Sequence, residues 1–180
     1  MLLRGVDTLS KCSHEYVIFY NHHWIEDNNL YIQMELCSEN LKTILDKKRQ
    51  IFKRKPSEAM TSVEYFISCQ LFRELLECVQ YLHESNPPII HRDLKPENVL
   101  IVRNPQNARF LKLCDFDLAK FTSSNTVIQT RGQGTGRYMA PEVNSPASRY
   151  SIKADVYSVG IIAQDIFASD MSKYVLQHYW

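Results

Sequence analysis

The longest periodic stretch of the chain begins at Thr61 and ends at Asn86-Pro87-Pro88, and it constrains the fold more than any other segment. It opens with Thr61-Ser62-Val63-Glu64, a capping box whose hydroxyl and carboxylate satisfy backbone donors at a helix start. Apolar residues then recur at helical spacing until the prolines end the helix. The stripe consists of Val63, Ile67, Leu71, Leu75, Val79 and Leu82, flanked by Phe66 and Phe72. We interpret this helix as core scaffold.

Short β-strands are predicted before that helix. Residues 16–20 are β-branched and aromatic, which favours a strand. Trp24-Ile25 and residues 30–34 predict two further strands, and the polar residues 26–29 between them suit a hairpin turn. Ahead of these strands, residues 2–12 have apolar side chains at helical spacing and predict the end of a helix.

A basic run follows a short helical stretch within residues 38–55. The helical stretch is centred on Leu41, Ile44 and Leu45. The basic residues are Lys47, Lys48, Arg49, Lys53, Arg54 and Lys55. We interpret this run as a solvated surface loop, with a docking site for an acidic partner as the alternative.

Short apolar runs and one helix are predicted in the second half of the chain. Ile89-Ile90 and residues 99–102 flank a charged loop, and residues 110–114 predict another strand. Residues 121–141 are rich in Ser, Thr, Gly and Gln and show no period. An apolar helical pattern resumes over residues 157–167. We find no internal repeat.

Composition indicates an ordinary globular chain in a reducing compartment. The 180 residues are 44% hydrophobic and carry a formal net charge of +1, which gives no general attraction to nucleic acid or membrane. The five cysteines form no C-x-x-C pair, so we expect reduced thiols. No signal peptide or membrane span is evident, and the sequence predicts a cytoplasmic location, with the nucleus as the alternative.

The charged loop between the two apolar runs carries the strongest chemical signal. Its sequence is His91-Arg92-Asp93-Leu94-Lys95-Pro96-Glu97-Asn98. This sequence resembles the H-R-D-L-x-x-x-N catalytic loop of protein kinases, and the resemblance implies that Asp93 acts on a substrate hydroxyl, Lys95 neutralises charge on a phosphoryl group and Asn98 holds a magnesium ion. Every functional position of the H-R-D-L-x-x-x-N catalytic loop of protein kinases is filled.

Three further motifs follow in the order that this loop requires. Asp115-Phe116-Asp117 resembles the magnesium-binding D-F-G triplet, with Asp117 in place of a glycine that permits unusual backbone angles. Residues 134–142 end in A-P-E, and residues 155–160 resemble the start of the central helix in the larger kinase lobe. Together the four motifs resemble a eukaryotic serine/threonine protein kinase over essentially the whole chain.

That resemblance implies an α+β fold, with a small partial β lobe over residues 1–36 and an incomplete, mostly helical lobe over residues 37–180. It also implies ATP and Mg²⁺ as cofactors and a protein as substrate. The implied catalytic residues are Asp93, Lys95 and Asn98, and the implied metal ligands are Asn98 and Asp115. The implied nucleotide-binding residues are Glu35, Cys37, Leu100 and Asp115. The implied structural residues are His91, Arg92, Phe116, Glu142 and Asp155.

Regulation and subfamily are predicted from finer features. Arg92 precedes the catalytic aspartate, as in kinases that activation-loop phosphorylation switches on. Thr130 is the preferred phosphate acceptor, ahead of Ser123, Ser124 and Thr126, and a plain hydrophilic loop is the alternative. Thr135 is predicted to shape the substrate-binding loop. Residues 24–27 and 30–37 resemble the stress-responsive kinases of the alpha subunit of translation initiation factor 2, which makes that subunit the predicted substrate. A second resemblance is to the unfolded-protein-response kinase/ribonuclease family.

Parts of a whole kinase have no counterpart in the sequence. Residues 1–36 contain neither a glycine-rich strand pair nor a Val-Ala-x-Lys strand, and Gly5 stands where the resembling kinases have a glutamate. Residues 164–180 depart from the family pattern, and their apolar side chains predict a homodimer or another partner. We therefore expect a chain truncated at both ends with negligible phosphotransfer. A non-catalytic interaction module is the alternative.

Overall fold

The computed structural model describes residues 3–55, 58–103, 109–116, 119–121, 126–128, 136–144 and 149–168. Its helices are α1 (Leu3–Lys11), α2 (Leu41–Phe52), α3 (Ser62–Glu84) and α4 (Ile152–Phe167). Its strands are β1 (Tyr20–Glu26), β2 (Asn29–Met34), β3 (Glu39–Asn40), β4 (Ile89–Ile90), β5 (Val99–Ile101), β6 (Leu111–Leu113), β7 (Lys120–Phe121), β8 (Thr126–Ile128) and β9 (Arg149–Ser151). Small sheets beside longer helices make this an α+β fold, which confirms the predicted class.

The hairpin β1–β2 forms where the sequence predicts it. Its strands are antiparallel, and the rings of the paired residues Trp24 and Tyr31 stack with centroids 5.3 Å apart. The turn residues Asp27 and Asn28 have φ angles of 49° and 60°. Asp and Asn tolerate this left-handed region better than most side chains, because their short polar groups bond locally. The turn sequence therefore explains the tight connection.

The strand predicted over residues 16–20 is wrong in its extent. β1 begins only at Tyr20, whereas Val17 makes a single parallel bridge to Leu113 in β6. The backbone N–H of Ile18 donates to the Leu113 carbonyl at 2.9 Å. Val17 and Ile18 are both buried. This apolar run therefore packs into the core beside β6 instead of extending the hairpin.

The basic run lies partly in a helix, so the predicted solvated loop is wrong there. α2 continues to Phe52 and includes Lys47, Lys48 and Arg49. Lys and Arg are good helix formers, so a charged run does not by itself end a helix. The Lys48 side chain is moreover buried, with 5% of its surface exposed.

Helix α3 begins at the predicted cap, but its apolar stripe is only partly buried. Thr61 Oγ1 accepts a hydrogen bond from the Glu64 backbone N–H at 3.1 Å. In the first half of the helix, Val63 and Phe66 are 63% and 62% exposed, while Glu64 and Ser68 are buried. The buried apolar residues of the second half are Leu75, Cys78, Val79 and Leu82. The scaffold prediction is thus confirmed only for the second half.

A buried polar cluster, formed by Lys48, Arg54, Glu64, Ser68 and the Ile166 carbonyl, joins α2, α3 and α4. The Lys48 ammonium donates to Ser68 Oγ at 2.7 Å and to the Ile166 carbonyl at 2.6 Å. Glu64 accepts from Arg54 Nε at 3.1 Å and lies 3.7 Å from Lys48 Nζ. Lys48 thus satisfies a carbonyl at the C-terminal end of α4, where intrahelical partners are missing.

Strands β3 to β7 frame the charged loop, residues 91–98, and β8 pairs with β9 in a separate sheet. β5 pairs antiparallel with both β3 and β6, and β4 pairs with β7. The loop therefore leaves one small sheet and enters another. Strands β3 and β7 have two residues each and strands β8 and β9 have three, too few to show a period, and the sequence patterns do not predict them. In the part of the chain that the structure describes, no helix is both long and apolar enough to cross a membrane.

Candidate active site

Three candidate residues of the charged loop lie within hydrogen-bond distance of one another. Lys95 Nζ donates to Asp93 Oδ2 at 2.7 Å. Asn98 Nδ2 donates to the Asp93 carbonyl at 2.8 Å and to Asp93 Oδ2 at 3.1 Å. A 3-10 turn over Pro96–Asn98 folds the chain back, so that Asn98 reaches Asp93. The Asp93 carboxylate is therefore held in place by two donors.

Asp115 joins this group from the end of β6. The backbone N–H of Cys114 donates to the Asn98 carbonyl at 3.0 Å, which brings Asp115 beside the loop. Asp115 is exposed and has a φ of 63°, in the left-handed region. The hydrogen bond to Asp93 raises the pKa of Lys95, and the charges of Asp93 and Asp115 raise it further. Lys95 therefore stays charged at neutral pH.

Two oxygen atoms at this site suit a magnesium ion. The Asn98 amide nitrogen is bound to Asp93, which leaves Oδ1 to accept a metal ion, and the Asp115 carboxylate is exposed. Mg²⁺ prefers carboxylate and amide oxygens, and it keeps water or phosphate oxygens in its other positions. Over the described ranges, no group of three or more His, Cys, Asp or Glu side chains could hold a metal. The residues present thus fit Mg²⁺ with few protein ligands.

Asp155 in α4 anchors the beginning of the loop. Its Oδ2 accepts from the His91 backbone N–H and its Oδ1 from the Arg92 backbone N–H, both at 2.9 Å. His83 Nε2 lies 2.9 Å from the same Oδ2. Arg92 has a φ of 72°, an unfavourable conformation for a side chain of its size. The two bonds to Asp155 stabilise that conformation.

His91 and Phe116 form the buried base of the site. His91 is fully buried, and its Nε2 lies 3.0 Å from the Cys114 carbonyl. Burial lowers the pKa of His91, against the opposing effect of Asp155. A carbonyl only accepts hydrogen bonds, so Nε2 carries the proton of the neutral ring. The Phe116 ring is 2% exposed and its centroid lies 5.0 Å from that of His91.

The structure does not gather all the predicted nucleotide-binding residues at this site. The Glu35 carboxylate accepts from the Phe19 backbone N–H at 2.6 Å and pairs with the Lys112 ammonium. Glu35 and Lys112 line a cavity of about 490 Å³ that contains none of the residues of the charged loop. Cys37 and Leu100 are half-buried and pack against the main core. The Glu35 carboxylate is thus engaged away from Asp93.

Residues 136–138 are held against α4 by side chains that the sequence patterns did not predict. The Tyr138 hydroxyl donates to Asp165 Oδ2 at 2.9 Å, and Arg137 Nη2 donates to Asp165 Oδ1 at 2.6 Å. Ser158 Oγ donates to the Tyr138 carbonyl at 2.7 Å. Ser158 and Asp165 lie seven residues apart on one face of α4. That spacing of polar residues was the available signal.

The remaining predicted residues differ in how far the structure describes them. Glu142 is exposed in the 3-10 turn Pro141–Asn144. Arg92 is buried beside Asp155. Asp117, Thr130 and Thr135 lie outside the described residues.

Comparison with known proteins gives matches along most of the chain. The sequence model of the protein kinase domain matches residues 1–174. Serine/threonine-protein kinase 33 of Bos taurus is 35% identical over 171 residues, which cover 90% of this chain and 32% of that protein. Putative mitogen-activated protein kinase kinase kinase 7-like of Drosophila melanogaster is 40% identical over 111 residues, which cover 60% of this chain and 26% of that protein. The chain therefore spans about a third or less of the length of these two relatives.

Proposed function

The chain belongs to the protein kinase family, and we propose that it carries the machinery that transfers a phosphoryl group from ATP to a serine or threonine of a protein. The observation that carries this proposal is the convergence of Asp93, Lys95 and Asn98 through hydrogen bonds of 2.7 to 3.1 Å, with Asp115 beside them. Catalysis of phosphoryl transfer depends on positioning and electrostatic stabilisation, and a converging set of charged groups supplies both.

Each of these four side chains has a place in the reaction. Asp93 accepts the proton of the substrate hydroxyl. Lys95, which is bound to Asp93, carries positive charge next to the transferred group. Asn98 Oδ1 and the Asp115 carboxylate would hold Mg²⁺. When bound, this ion offsets the negative charge of the phosphate oxygens.

Regulation and substrate choice extend the proposal. Thr130 is proposed as the phosphorylated residue that activates the enzyme, with Arg92 as the partner of the added phosphate. Thr135 is proposed to shape the substrate-binding loop. The alpha subunit of translation initiation factor 2 is the proposed substrate, on the resemblance of residues 24–27 and 30–37. This would give the protein a role in the stress response and in translation regulation.

The lobes, nucleotide contacts and location are proposed on the sequence resemblance. Residues 1–36 would belong to the smaller lobe and residues 37–180 to the larger one. Cys37 and Leu100 would contact the base of the nucleotide, and their position against the core near the strands β3 and β5 is compatible with that role. The cytoplasm is the proposed location, and a second copy of the chain is a proposed partner.

A non-catalytic interaction module is the second candidate function. Two observations favour it. The Glu35 carboxylate is bound to Lys112 and faces a separate cavity. Lys11, at the end of α1, is the one lysine of residues 1–36, so these residues contain no strand lysine to hold the α- and β-phosphates. For the same reason we expect negligible phosphotransfer by the 180-residue chain.

Magnesium-dependent nucleotide binding separates the two functions. Thermal unfolding is measured with ATP, with and without Mg²⁺, for wild type, Asp115→Asn and Asp46→Asn. Asp46 is the matched control, an aspartate of α2 that is 48% exposed and paired with Lys42. We expect MgATP at saturating concentration to raise the Tm of wild type and of the control by about 5 °C, and to leave Asp115→Asn unchanged.

An equal Tm shift in wild type and Asp115→Asn would contradict the kinase proposal, and so would no shift in any variant. Either result would favour the interaction module. Transfer of phosphate to a serine or threonine peptide is assayed in parallel. Detectable transfer that disappears in Asp93→Ala would overturn the expectation of negligible activity and would support the kinase assignment directly.

A further inference from the structure

Arg137 places an exposed positive charge on residues 136–138, the segment that side chains of α4 bind. The Arg137 side chain is 60% exposed, and its Nη2 donates to Asp165 at 2.6 Å. Its guanidinium also lies 5.5 Å from the centre of the Tyr138 ring. A guanidinium has five N–H donors in a planar fork, more than the bond to Asp165 uses. Arg137 can therefore bind a second carboxylate without leaving Asp165.

The negative partner of Arg137 does not present its charge to solvent. The Asp165 side chain is 12% exposed. Its Oδ1 accepts from Arg137 and its Oδ2 accepts from the Tyr138 hydroxyl at 2.9 Å. Both carboxylate oxygens are therefore bound and covered, and the exposed charge of the pair is positive.

This positive charge lies close to the loop that carries Asp93. Burial raises the pKa of Tyr138, the bond to Asp165 raises it further, and the charge of Glu97 adds to this. Glu97 is an exposed residue of the same loop as Asp93, and Asp155 of α4 accepts from the His91 and Arg92 backbone N–H groups where that loop begins. Helix α4 fixes that arrangement, because Ser158 binds the Tyr138 carbonyl one turn after the residue that anchors the loop.

We infer that Arg137 is a specificity-determining residue that favours acidic residues beside the serine or threonine acceptor. The inference rests on the proposed function, because a protein that presents its hydroxyl to Asp93 must lie across the surrounding surface. A carboxylate of the substrate can take the exposed donors of Arg137, whereas a lysine is repelled. Glu97 has the opposite charge in the same region, so the contribution of Arg137 has to be isolated by substitution.

Two fluorescent peptides isolate that contribution. Each has one serine in a neutral sequence, flanked on both sides by Glu in one peptide and by Lys in the other. Fluorescence anisotropy measures their Kd for the 180-residue chain without nucleotide, so the result does not depend on phosphotransfer. Arg137→Gln keeps an amide donor for Asp165 but removes the charge. Arg73→Gln is the matched control, because Arg73 is 63% exposed and pairs with Glu77 on α3.

We expect the preference for the Glu peptide, expressed as the ratio of the two Kd values, to fall about threefold in Arg137→Gln and to stay unchanged in Arg73→Gln. Circular dichroism verifies that each variant is folded, and Arg137→Ala replaces the glutamine variant where it is not. An unchanged ratio in the folded Arg137 variant overturns the inference. Failure of both peptides to bind wild type overturns it as well. The proposed function is judged separately, by the Tm shift with MgATP.

Discussion

Replacement of Lys48 by methionine tests the buried polar cluster that joins α2, α3 and α4. The Lys48 side chain is 5% exposed, and its ammonium donates to Ser68 and to the Ile166 carbonyl at 2.7 and 2.6 Å. Methionine is unbranched and of similar volume, so the change leaves little cavity. The loss of stability therefore reports on the polar contacts of the ammonium.

From these contacts we expect Lys48→Met to lower the free energy of unfolding by about 2–3 kcal/mol. Removal of one partner of a buried ion pair costs about 3–5 kcal/mol when the other charge is left alone. Here Glu64 retains Arg54 at 3.1 Å, and the Ser68 hydroxyl lies 3.2 Å from the Ile166 carbonyl and can replace one lost donor. These remaining contacts reduce the penalty below that range. For a chain of this length the Tm should fall by about 8 °C.

Lys47→Met is the matched control for this experiment. Lys47 is the preceding residue of the same helix, is 51% exposed and pairs with Glu39 at the surface. An exposed ion pair contributes at most about 1 kcal/mol. Urea unfolding followed by circular dichroism gives the free energy of unfolding of wild type, Lys48→Met and Lys47→Met. Both variants carry the same chemical change at neighbouring positions, so helix propensity cancels in the comparison.

Equal free energies of unfolding for the two methionine variants would refute the reasoning. A Lys48→Met variant with the Tm of wild type would refute it as well. A higher Tm would show that desolvation of the buried ammonium costs more than its hydrogen bonds and its attraction to Glu64 return, as happens for some buried ion pairs.

Three further outcomes are expected. Asp155→Asn offers one acceptor oxygen instead of two, so native-state hydrogen exchange at the His91 or Arg92 amide should accelerate at least about tenfold. Burial raises the pKa of Cys78 from 9.0 to about 12, so the unfolded chain loses this proton first. The free energy of unfolding should then fall as the pH rises above about 9, and urea unfolding at several pH values should show a smaller fall in Cys78→Ala. Asp115→Gly relieves a φ of 63° and should raise the Tm by about 2 °C while it abolishes the Tm shift with MgATP.

Each of these outcomes has a clear contrary result. Unchanged exchange at both amides in Asp155→Asn would mean that the carboxylate does not hold the loop. An equal dependence of stability on pH in wild type and Cys78→Ala would mean that the thiol is hydrated in the folded state. A lower Tm for Asp115→Gly would mean that the aspartate makes stabilising contacts that outweigh its backbone strain.

The elements predicted correctly are those whose determinants are close in sequence. The hairpin turn depends on Asp27 and Asn28, and both adopt the left-handed conformation. Asp93, Lys95 and Asn98 are separated by five residues at most, so a single short turn brings them together, while their roles in catalysis stay predictions. The start of α3 depends on a cap that spans four residues. In each case local conformational preference and the tertiary structure agree.

The features that the sequence patterns missed depend on contacts between distant segments. Lys48 looks like part of a solvated basic run. It is buried because it binds the end of α4, which lies 118 residues further along the chain. Periodicity does not show which helix end needs a donor. Val17 looks like a strand residue of the hairpin, but its bridge is to Leu113 in β6. Such choices among possible partners are made by packing, which a local pattern does not contain.

Helix α4 binds two loops from separate parts of the chain. Asp155 binds the backbone of residues 91–92, while Ser158 and Asp165 bind residues 137–138. A buried carboxylate is costly unless hydrogen bonds compensate it. Asp155 and Asp165 are therefore stabilised by the loops that donate to them, and each loop is held in place by the carboxylate that it binds. A substitution in α4 should therefore alter the geometry of the site without contact with a reacting group. Because the two sets of bonds share no atoms, Asp155→Asn should loosen residues 91–92 and leave the bonds of Ser158 and Asp165 to residues 137–138 in place.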